Sequence, residues 1–359
     1  MKAALLGVNS RAQRCGWDDL AELASLAAAA GLDISWAMLL RQERLQPATM
    51  IGKGKLARVG NLVREAQVRT LVTSCPASGG QLRRLRAALK IDIIDRTGLI
   101  LNIFAQRATS AQGKLQVELA RSEYEYAQLV SGWQHLERQR GKTGTVGGPG
   151  EKQLEIDRRL LMDRIRRLRE RIGKHHQRAM RTVQRRRRSI ATVALVGYTN
   201  AGKSSLFARL AGQSVPASER MFETLDTTTR RVYLGEGSYA AISDTVGFVR
   251  DLPHTLVDAF RATLREAVDA DLLLLVVDTS DPHCWEKARV VEDTLEEIGA
   301  GQVPRLLVGN KSDLLPEGRQ WSGRFSGCDK IIARVSVSAA TGRGVPELRR
   351  QLCSQIGSS

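Results

Sequence analysis

Over residues 1–100, short continuous apolar runs alternate with stretches in which apolar residues recur at helical spacing. Ala3–Val8, Thr70–Thr73 and Ile91–Ile94 predict buried strands, and the periodicity predicts helices over Trp17–Ala30, Lys53–Ala66 and Gln81–Leu89. These elements make a small α/β unit. Gly52-Lys-Gly-Lys55 lacks the Gly-x4-Gly-Lys-Ser/Thr spacing of a phosphate loop and reads as a helix-entry turn. The Ala/Leu-rich stretch 20–40 is broken by Glu22 and Asp33, and gives no membrane span.

From Lys114 to about Arg140, Leu115, Leu119, Tyr126, Leu129, Trp133 and Leu136 fall on one face of a long helix. Gly141–Gly150 holds five glycines and Pro149, and ends it. A second helix, Glu151 to about Arg186, carries Leu154, Leu161, Ile165, Leu168 and Ile172 on one stripe, with arginines elsewhere. Two such helices joined by a glycine-rich loop form an antiparallel hairpin with the loop at its tip, and Arg185–Arg188 forms a linker. After Ile190 the pattern becomes strand, loop, helix, with strands at Thr192–Val196, Ala240–Ser243, Leu272–Val277, Arg305–Val308 and Ile331–Val335. That alternation predicts a doubly wound, mostly parallel sheet binding its ligand at the strands' carboxyl ends. The expected α/β organisation is an N-terminal domain (1–105), a basic helical hairpin with tip loop 141–150 (106–189), and a P-loop domain (190–359).

Charge changes this picture. The chain carries 55 Lys and Arg against 38 Asp and Glu, a net +17. Residues 1–150 contribute +9 and residues 151–189 contribute +10, whereas 190–359 sum to −2. A basic field confined to one part of a chain is a footprint for a polyanion, with phosphate contacts supplying affinity. The longest aliphatic run, Leu272–Val277, is too short to cross a bilayer, and Ala3–Val8 is shorter than a signal-peptide core, so a cytoplasmic protein is expected. Cys15, Cys75, Cys284, Cys328 and Cys353 are odd in number and scattered, which predicts reduced thiols and neither a disulfide frame nor a zinc site.

Gly197-Tyr-Thr-Asn-Ala-Gly202-Lys203-Ser204 follows an apolar strand and precedes the helical stretch Ser205–Leu210, the setting of a phosphate-binding loop. Asn200, Ala201, Gly202, Lys203, Ser204 and Ser205 are the expected nucleotide contacts; Lys203 neutralises the β- and γ-phosphates and the Ser204 hydroxyl ligates Mg²⁺. About 40 residues downstream, Asp244-Thr-Val-Gly247 ends the next strand, so that Asp244 holds Mg²⁺ through water and the Gly247 N–H meets the γ-phosphate. Asn310-Lys311-Ser312-Asp313 closes a later strand. The Asp313 carboxylate offers two acceptors to the N1–H and N2 amine of guanine, a pairing that adenine cannot supply. Lys311 lies along the base, Asn310 ties this loop to the phosphate loop, and Ser338-Ala339 supplies the final loop, with the Ala339 amide donating to guanine O6.

Between these motifs, Phe222–Arg230 offers four threonines for a second Mg²⁺ ligand from a mobile loop. Thr228 is favoured, with Thr227 and Thr229 as alternatives; the competing reading of the segment is a threonine-rich edge strand. Lys203, Thr228 and Gly247 are the expected catalytic set, and Ser204, Thr228 and Asp244 the metal set. Phe248 follows Gly247 where many GTP-hydrolysing switches carry glutamine. Phenylalanine cannot orient water, so intrinsic hydrolysis is expected to be slow unless backbone groups, a retracted Phe248 or a docked partner position it.

These segments resemble the HflX family of ribosome-associated GTPases along nearly the whole chain. The likeness rests on Gly197–Ser204, Phe222–Arg230 and Asp244-Thr-Val-Gly-Phe-Val-Arg-Asp-Leu-Pro-His254, and on amino-terminal signatures. Those are Ile51–Lys55, Ile94-Asp-Arg-Thr-Gly-Leu-Ile-Leu-Asn-Ile-Phe104, Gly113-Lys-Leu-Gln-Val-Glu-Leu119, and Gly148-Pro-Gly-Glu151 with Gln153-Leu-Glu155. The resemblance implies GTP/GDP and Mg²⁺ as cofactors, a monomer, binding to the large ribosomal subunit and its rRNA through residues 1–189, and splitting or rescue of stalled or idle 70S ribosomes. Departures from the family pattern are Gly147-Gly-Pro-Gly-Glu-Lys152 in place of Arg-Gly-Pro-Gly-Glu-Thr, Asp226-Thr-Thr228 in place of Asp-Pro-Thr, no acidic stretch over 73–81, and an expected lack of the carboxyl-terminal extension beyond Leu352. The alternative functions are a subunit-assembly GTPase and a nucleotide-regulated scaffold.

Overall fold

A computed structural model describes residues 1–11, 14–139, 149–186, 190–213, 221–222, 225, 227–235, 237–250, 256, 261–316, 321, 325 and 329–356. The chain forms two compact units, residues 1–106 with 114–172, and residues 107–113 with 173–359.

In the first unit, β1 (Lys2–Asn9), β2 (Asp33–Arg41), β3 (Thr70–Thr73) and β4 (Asp92–Asp95) form a parallel sheet in the order β2-β1-β3-β4. Helices α1 (Trp17–Ala29), α2 (Lys53–Glu65) and α3 (Gly79–Leu89) make the crossovers, and α4 (Arg96–Arg107) follows β4. The inner strands β1 and β3 are buried continuous runs, as parallel strands covered on both faces require. Two elements differ from the sequence expectation. β2 occupies the end of the Ala/Leu-rich stretch, where Ile34, Trp36, Met38 and Leu40 alternate with more exposed positions along an edge strand. α4 buries Leu99, Ile100, Leu101, Ile103 and Phe104, a nearly continuous apolar set that hides helical periodicity.

The long helices are α5 (Ala111–Gln139) and α6 (Pro149–Arg186). Leu115 and Leu119 of α5 and Ile165 and Leu168 of α6 are buried, as the stripes predict; the side chains of Trp133, Leu136 and Leu154 lie outside the described residues. Arg164 pairs with Glu118 at 3.0 Å, Arg169 pairs with Glu123 at 2.8 Å, and Arg158 donates to the Tyr126 hydroxyl at 3.3 Å. The connection 140–148 is outside the described residues, and at about 3.4 Å per residue it is too short to return along α5, about 43 Å in length. The pair is therefore antiparallel. Most of the expected tip loop Gly141–Gly150 falls in that segment, while Pro149 and Gly150 already belong to α6. The expected linker starts inside α6, which runs to Arg186; residues 187–189 are outside the described set.

The second unit is a six-stranded sheet in the order β10-β9-β8-β5-β7-β6. Its strands are β5 (Ala191–Gly197), β6 (Thr228–Gly235), β7 (Ser238–Asp244), β8 (Leu272–Asp278), β9 (Arg305–Asn310) and β10 (Ile331–Ser336). All neighbours are parallel except β6, which runs antiparallel to β7 as an edge strand. Helices α7 (Lys203–Leu210), α8 (Arg261–Val268), α9 (Cys284–Glu297) and α10 (Val345–Ile356) complete it. Val193, Leu195, Leu274, Val308 and Val335 from four strands meet Leu206, Leu210 and Leu348 in one core. From Thr228 the threonine-rich segment is strand rather than mobile loop, with Thr228–Arg231 exposed and polar at the sheet edge, as its edge-strand reading has it.

Helix α3 packs end-on against α5. The Gly79 amide donates to Ser131 Oγ at 3.2 Å, Gln128 Nε2 donates to the Ala77 carbonyl at 2.9 Å, and a Cβ on Gly79 would lie 1.9 Å from the Gln128 carbonyl oxygen. That obstacle is backbone and cannot rotate away. Gly79→Ala is expected to destabilise the first unit by about 3 kcal/mol, whereas Gly54→Ala in α2, with open space around it, should leave stability within about 0.5 kcal/mol or raise it. Urea unfolding followed by far-ultraviolet circular dichroism tests the pair, and equal midpoints for both variants would contradict this packing.

Candidate nucleotide site

The candidate residues meet at the carboxyl ends of β5, β7 and β9. β5 delivers the chain into Tyr198–Gly202, and α7 starts at Lys203 with Gly202 as its cap. Gly202 has φ 85°, and a Cβ there would stand 2.2 Å from Asn310 Nδ2, so both backbone conformation and space demand glycine. Asn200 is exposed at φ 63°, a conformation that asparagine tolerates. Ala201 is buried, and Ser204 and Ser205 are half-buried in the first turn of α7, where the helix dipole favours an anion.

Lys203 is buried, and its Nζ donates to the carbonyls of Gly197 at 3.1 Å and Tyr198 at 2.9 Å. Burial drags its pKa down to about 8, partly opposed by the charge of Asp244. The ammonium is thus folded back on its own loop, with carbonyl dipoles where a phosphate would give full negative charge. Gly247 lies against it: a Cβ would come within 3.1 Å of Lys203 Nζ and 2.9 Å of Thr199 Cγ2. The Thr199 hydroxyl is buried in this cradle with no hydrogen-bond partner among the described residues. It was not among the sequence-predicted contacts, since a hydroxyl at that loop position carries no motif signal.

Ser204 Oγ donates to Asp244 Oδ2 at 2.7 Å, and in the β6–β7 register Thr228 stands opposite Asp244. Two hydroxyls and a carboxylate are hard oxygen donors, the set that suits Mg²⁺. Thr228 is the first residue of β6, so the expected mobile loop ends one residue earlier than Thr228. Strand alternation separates the three threonines. Thr229 shares a 2.9 Å hydrogen bond with Ser243, and Thr227 and Thr229 both hydrogen-bond to the Glu266 carboxyl, which burial holds above its ordinary pKa. Thr228 faces the other way and is exposed. Asp226 and Asp251–His254 lie outside the described residues.

Phe248 is fully buried, and its backbone is paired with the phosphate loop: Phe248 N donates to Gly197 O at 3.1 Å, and Thr199 N donates to Phe248 O at 2.7 Å. The ring is retracted, so backbone rather than a side chain lines the site after Gly247.

At the end of β9, Asn310 is buried and joins two loops. Its Nδ2 donates to Ala201 O at 2.9 Å, and its Oδ1 accepts from the Ala339 amide at 3.0 Å. Lys311 donates to Asp278 Oδ2 at 2.6 Å, which holds its stem across the end of β8. Asp313, in the 3₁₀ turn Ser312–Leu314, is exposed. Ser338 is buried, and its Oγ accepts from the Thr341 amide at 3.1 Å. Ala339 is buried and its amide is already given to Asn310, so the expected contact with guanine O6 requires Asn310 Oδ1 to share it.

Three family models match consecutive parts of the chain: "GTP-binding GTPase N-terminal" over residues 17–105, "GTP-binding GTPase Middle Region" over 107–188, and "50S ribosome-binding GTPase" over 192–311. Among curated proteins, the GTPase HflX of Magnetococcus marinus is 43% identical over 340 residues, covering 94% of this chain and 78% of that protein. The GTPase HflX of Escherichia coli is 42% identical over 340 residues, covering 94% and 79%. A solved GTP-binding protein from Sulfolobus solfataricus in complex with GDP shares the fold, with a TM-score of 0.52 and 24% identity over 100% of this chain and 99% of that one. Likeness of this extent to proteins of one kind, added to a cradle built for a nucleotide triphosphate, shows that the chain belongs to the HflX family of GTP-binding, GTP-hydrolysing proteins.

Proposed function

We propose that this GTPase acts on the ribosome: residues 1–105 and the hairpin 106–189 grip the rRNA of the large subunit, and residues 190–359 set that grip according to the nucleotide bound. The observation that carries this reading is the segregation of charge. Residues 1–150 and 151–189 hold +9 and +10, while 190–359 hold −2. Arg158, Arg159, Arg166, Arg167 and Arg171 are exposed along α6, the disposition of a surface that neutralises phosphates. The "50S ribosome-binding GTPase" description of the matching family model points to the same partner. The chain works as a cytoplasmic monomer, and among the described residues no helix is long and apolar enough to cross a membrane.

Within the pocket, Lys203 leaves its two carbonyl partners for the β- and γ-phosphates, the loop amides of Asn200–Ser205 surround the phosphate oxygens, and the Gly247 N–H senses the γ-phosphate. Ser204, Asp244 and Thr228 are the residues that would hold Mg²⁺, which supplies charge neutralisation on the β- and γ-phosphates when bound. With Phe248 buried, residue 248 offers no side chain to orient water, so backbone groups or a docked partner must position it, and a docked ribosome is expected to accelerate hydrolysis. Splitting or rescue of 70S particles is the output of that cycle.

Sucrose-gradient sedimentation of 70S ribosomes tests the output. With this protein and GTP or a non-hydrolysable analogue, 70S material is expected to shift to free subunits, with GDP leaving it intact and phosphate release accelerated by ribosomes. Unchanged 70S peaks under all three nucleotides would defeat the splitting reading. For the base, Asp313→Asn replaces two acceptors with one donor and one acceptor, which matches the N1–H and C2 carbonyl of xanthine. Competition binding is expected to show at least about 100-fold weaker GDP and improved xanthosine diphosphate affinity; retained guanine preference would contradict the role of Asp313.

A further inference from the structure

We propose that Arg209, which lies outside every nucleotide-binding motif, is a positioning residue that selects the 6-oxo group of guanine by aiming the Ala340 amide. The inference rests on the guanine reading of the site. Arg209 sits in the last turn of α7, the helix whose first residues are Lys203 and Ser204. Its Nε donates to the Ala339 carbonyl at 3.0 Å and its terminal nitrogen donates to the Ala340 carbonyl at 2.5 Å. A planar guanidinium holds its donors in a rigid fork that fixes the directions of two successive carbonyls, whereas a lysine ammonium, a rotating point charge, can bond two carbonyls without fixing their planes.

That fork fixes the direction of two peptide planes. No described peptide bond is cis, so each N–H points opposite to the carbonyl of its own plane. With the Ala339 carbonyl drawn toward Arg209, the Ala340 N–H is turned away from it. The amides around it are already engaged: Ser338 N donates to Arg343 O at 2.9 Å, Ala339 N to Asn310 Oδ1 at 3.0 Å, Thr341 N to Ser338 Oγ at 3.1 Å and Gly342 N to Ser338 O at 2.8 Å. Within 338–342, only the Ala340 amide has no hydrogen-bond partner among the described residues. The loop therefore presents one unengaged donor, on the residue that follows the Ala339 amide held by Asn310, and in this proposal that donor meets guanine O6. α7 thereby ties the phosphate end of the pocket to its base end through one rigid element.

Binding of GDP, 6-thio-GDP and IDP to the full-length protein separates this role from a general loosening of the pocket. 6-Thio-GDP changes only the acceptor at position 6, whereas IDP lacks only the amine that faces Asp313. Arg209→Met is expected to weaken GDP about tenfold, to bring the GDP to 6-thio-GDP affinity ratio close to one, and to leave the GDP to IDP ratio at its wild-type value. Arg209→Lys, whose ammonium lacks the rigid fork, should fall between, and it decides the matter if thermal melting shows that Arg209→Met does not fold. Ratios that both stay at wild type, or that fall together, would overturn the proposal. Failure of the wild-type protein to prefer GDP over ADP would remove the guanine reading beneath it.

Discussion

One buried amide holds the nucleotide site in register. Asn310 reaches from the end of β9 to Ala201 in the phosphate loop on one side and to Ala339 in the last loop on the other. Because its Nδ2 would lie 2.2 Å from any Cβ at residue 202, the phosphate loop must carry glycine there, and that glycine in turn caps α7. Lys203, Ser204 and the proposed function of Arg209 all inherit their positions from that cap. A buried side chain with both hydrogen-bonding ends satisfied is costly to displace, so the distance between phosphate and base subsites is set before ligand arrives.

The phosphate end is poised rather than filled. Lys203 is buried with carbonyl partners only, and burial has already lowered its pKa toward neutrality. A triphosphate offers the ammonium a better partner than two dipoles, and the same event brings charge to the Gly247 amide and to the Ser204–Asp244 pair. The pairing of β6 with β7 sets Thr228, at the polar exposed start of the edge strand, opposite Asp244. The basic half of the chain has the complementary chemistry, with arginines exposed along α6 and acidic residues of α5 spent on tying the hairpin together.

Much of this was legible in the sequence because it is local. A phosphate loop is eight contiguous residues between a strand and a helix, and the Asp244 and Asn310–Asp313 motifs end strands whose apolar runs are continuous. The long helices were legible from stripes of Leu and Ile. What stayed hidden is non-local or aperiodic. β2 is an edge strand with a partly exposed face, and α4 is buried on too many sides to show a period. The sequence favours Thr228 among its neighbours, but its register against Asp244 is visible only in the sheet. The engagement of the Ala339 amide and the reach of Arg209 across 130 residues of chain are facts of packing that no spacing announces.

The central claim is that the nucleotide held by the second unit governs how strongly the basic residues 1–189 hold ribosomal RNA. Equilibrium binding to purified large subunits, measured over a range of salt concentrations with a non-hydrolysable GTP analogue and with GDP, tests it most directly. The account predicts tight binding with the GTP analogue that weakens steeply with salt, and at least about tenfold weaker binding with GDP at each concentration. Equal affinities with the two nucleotides, or binding indifferent to salt, would contradict it.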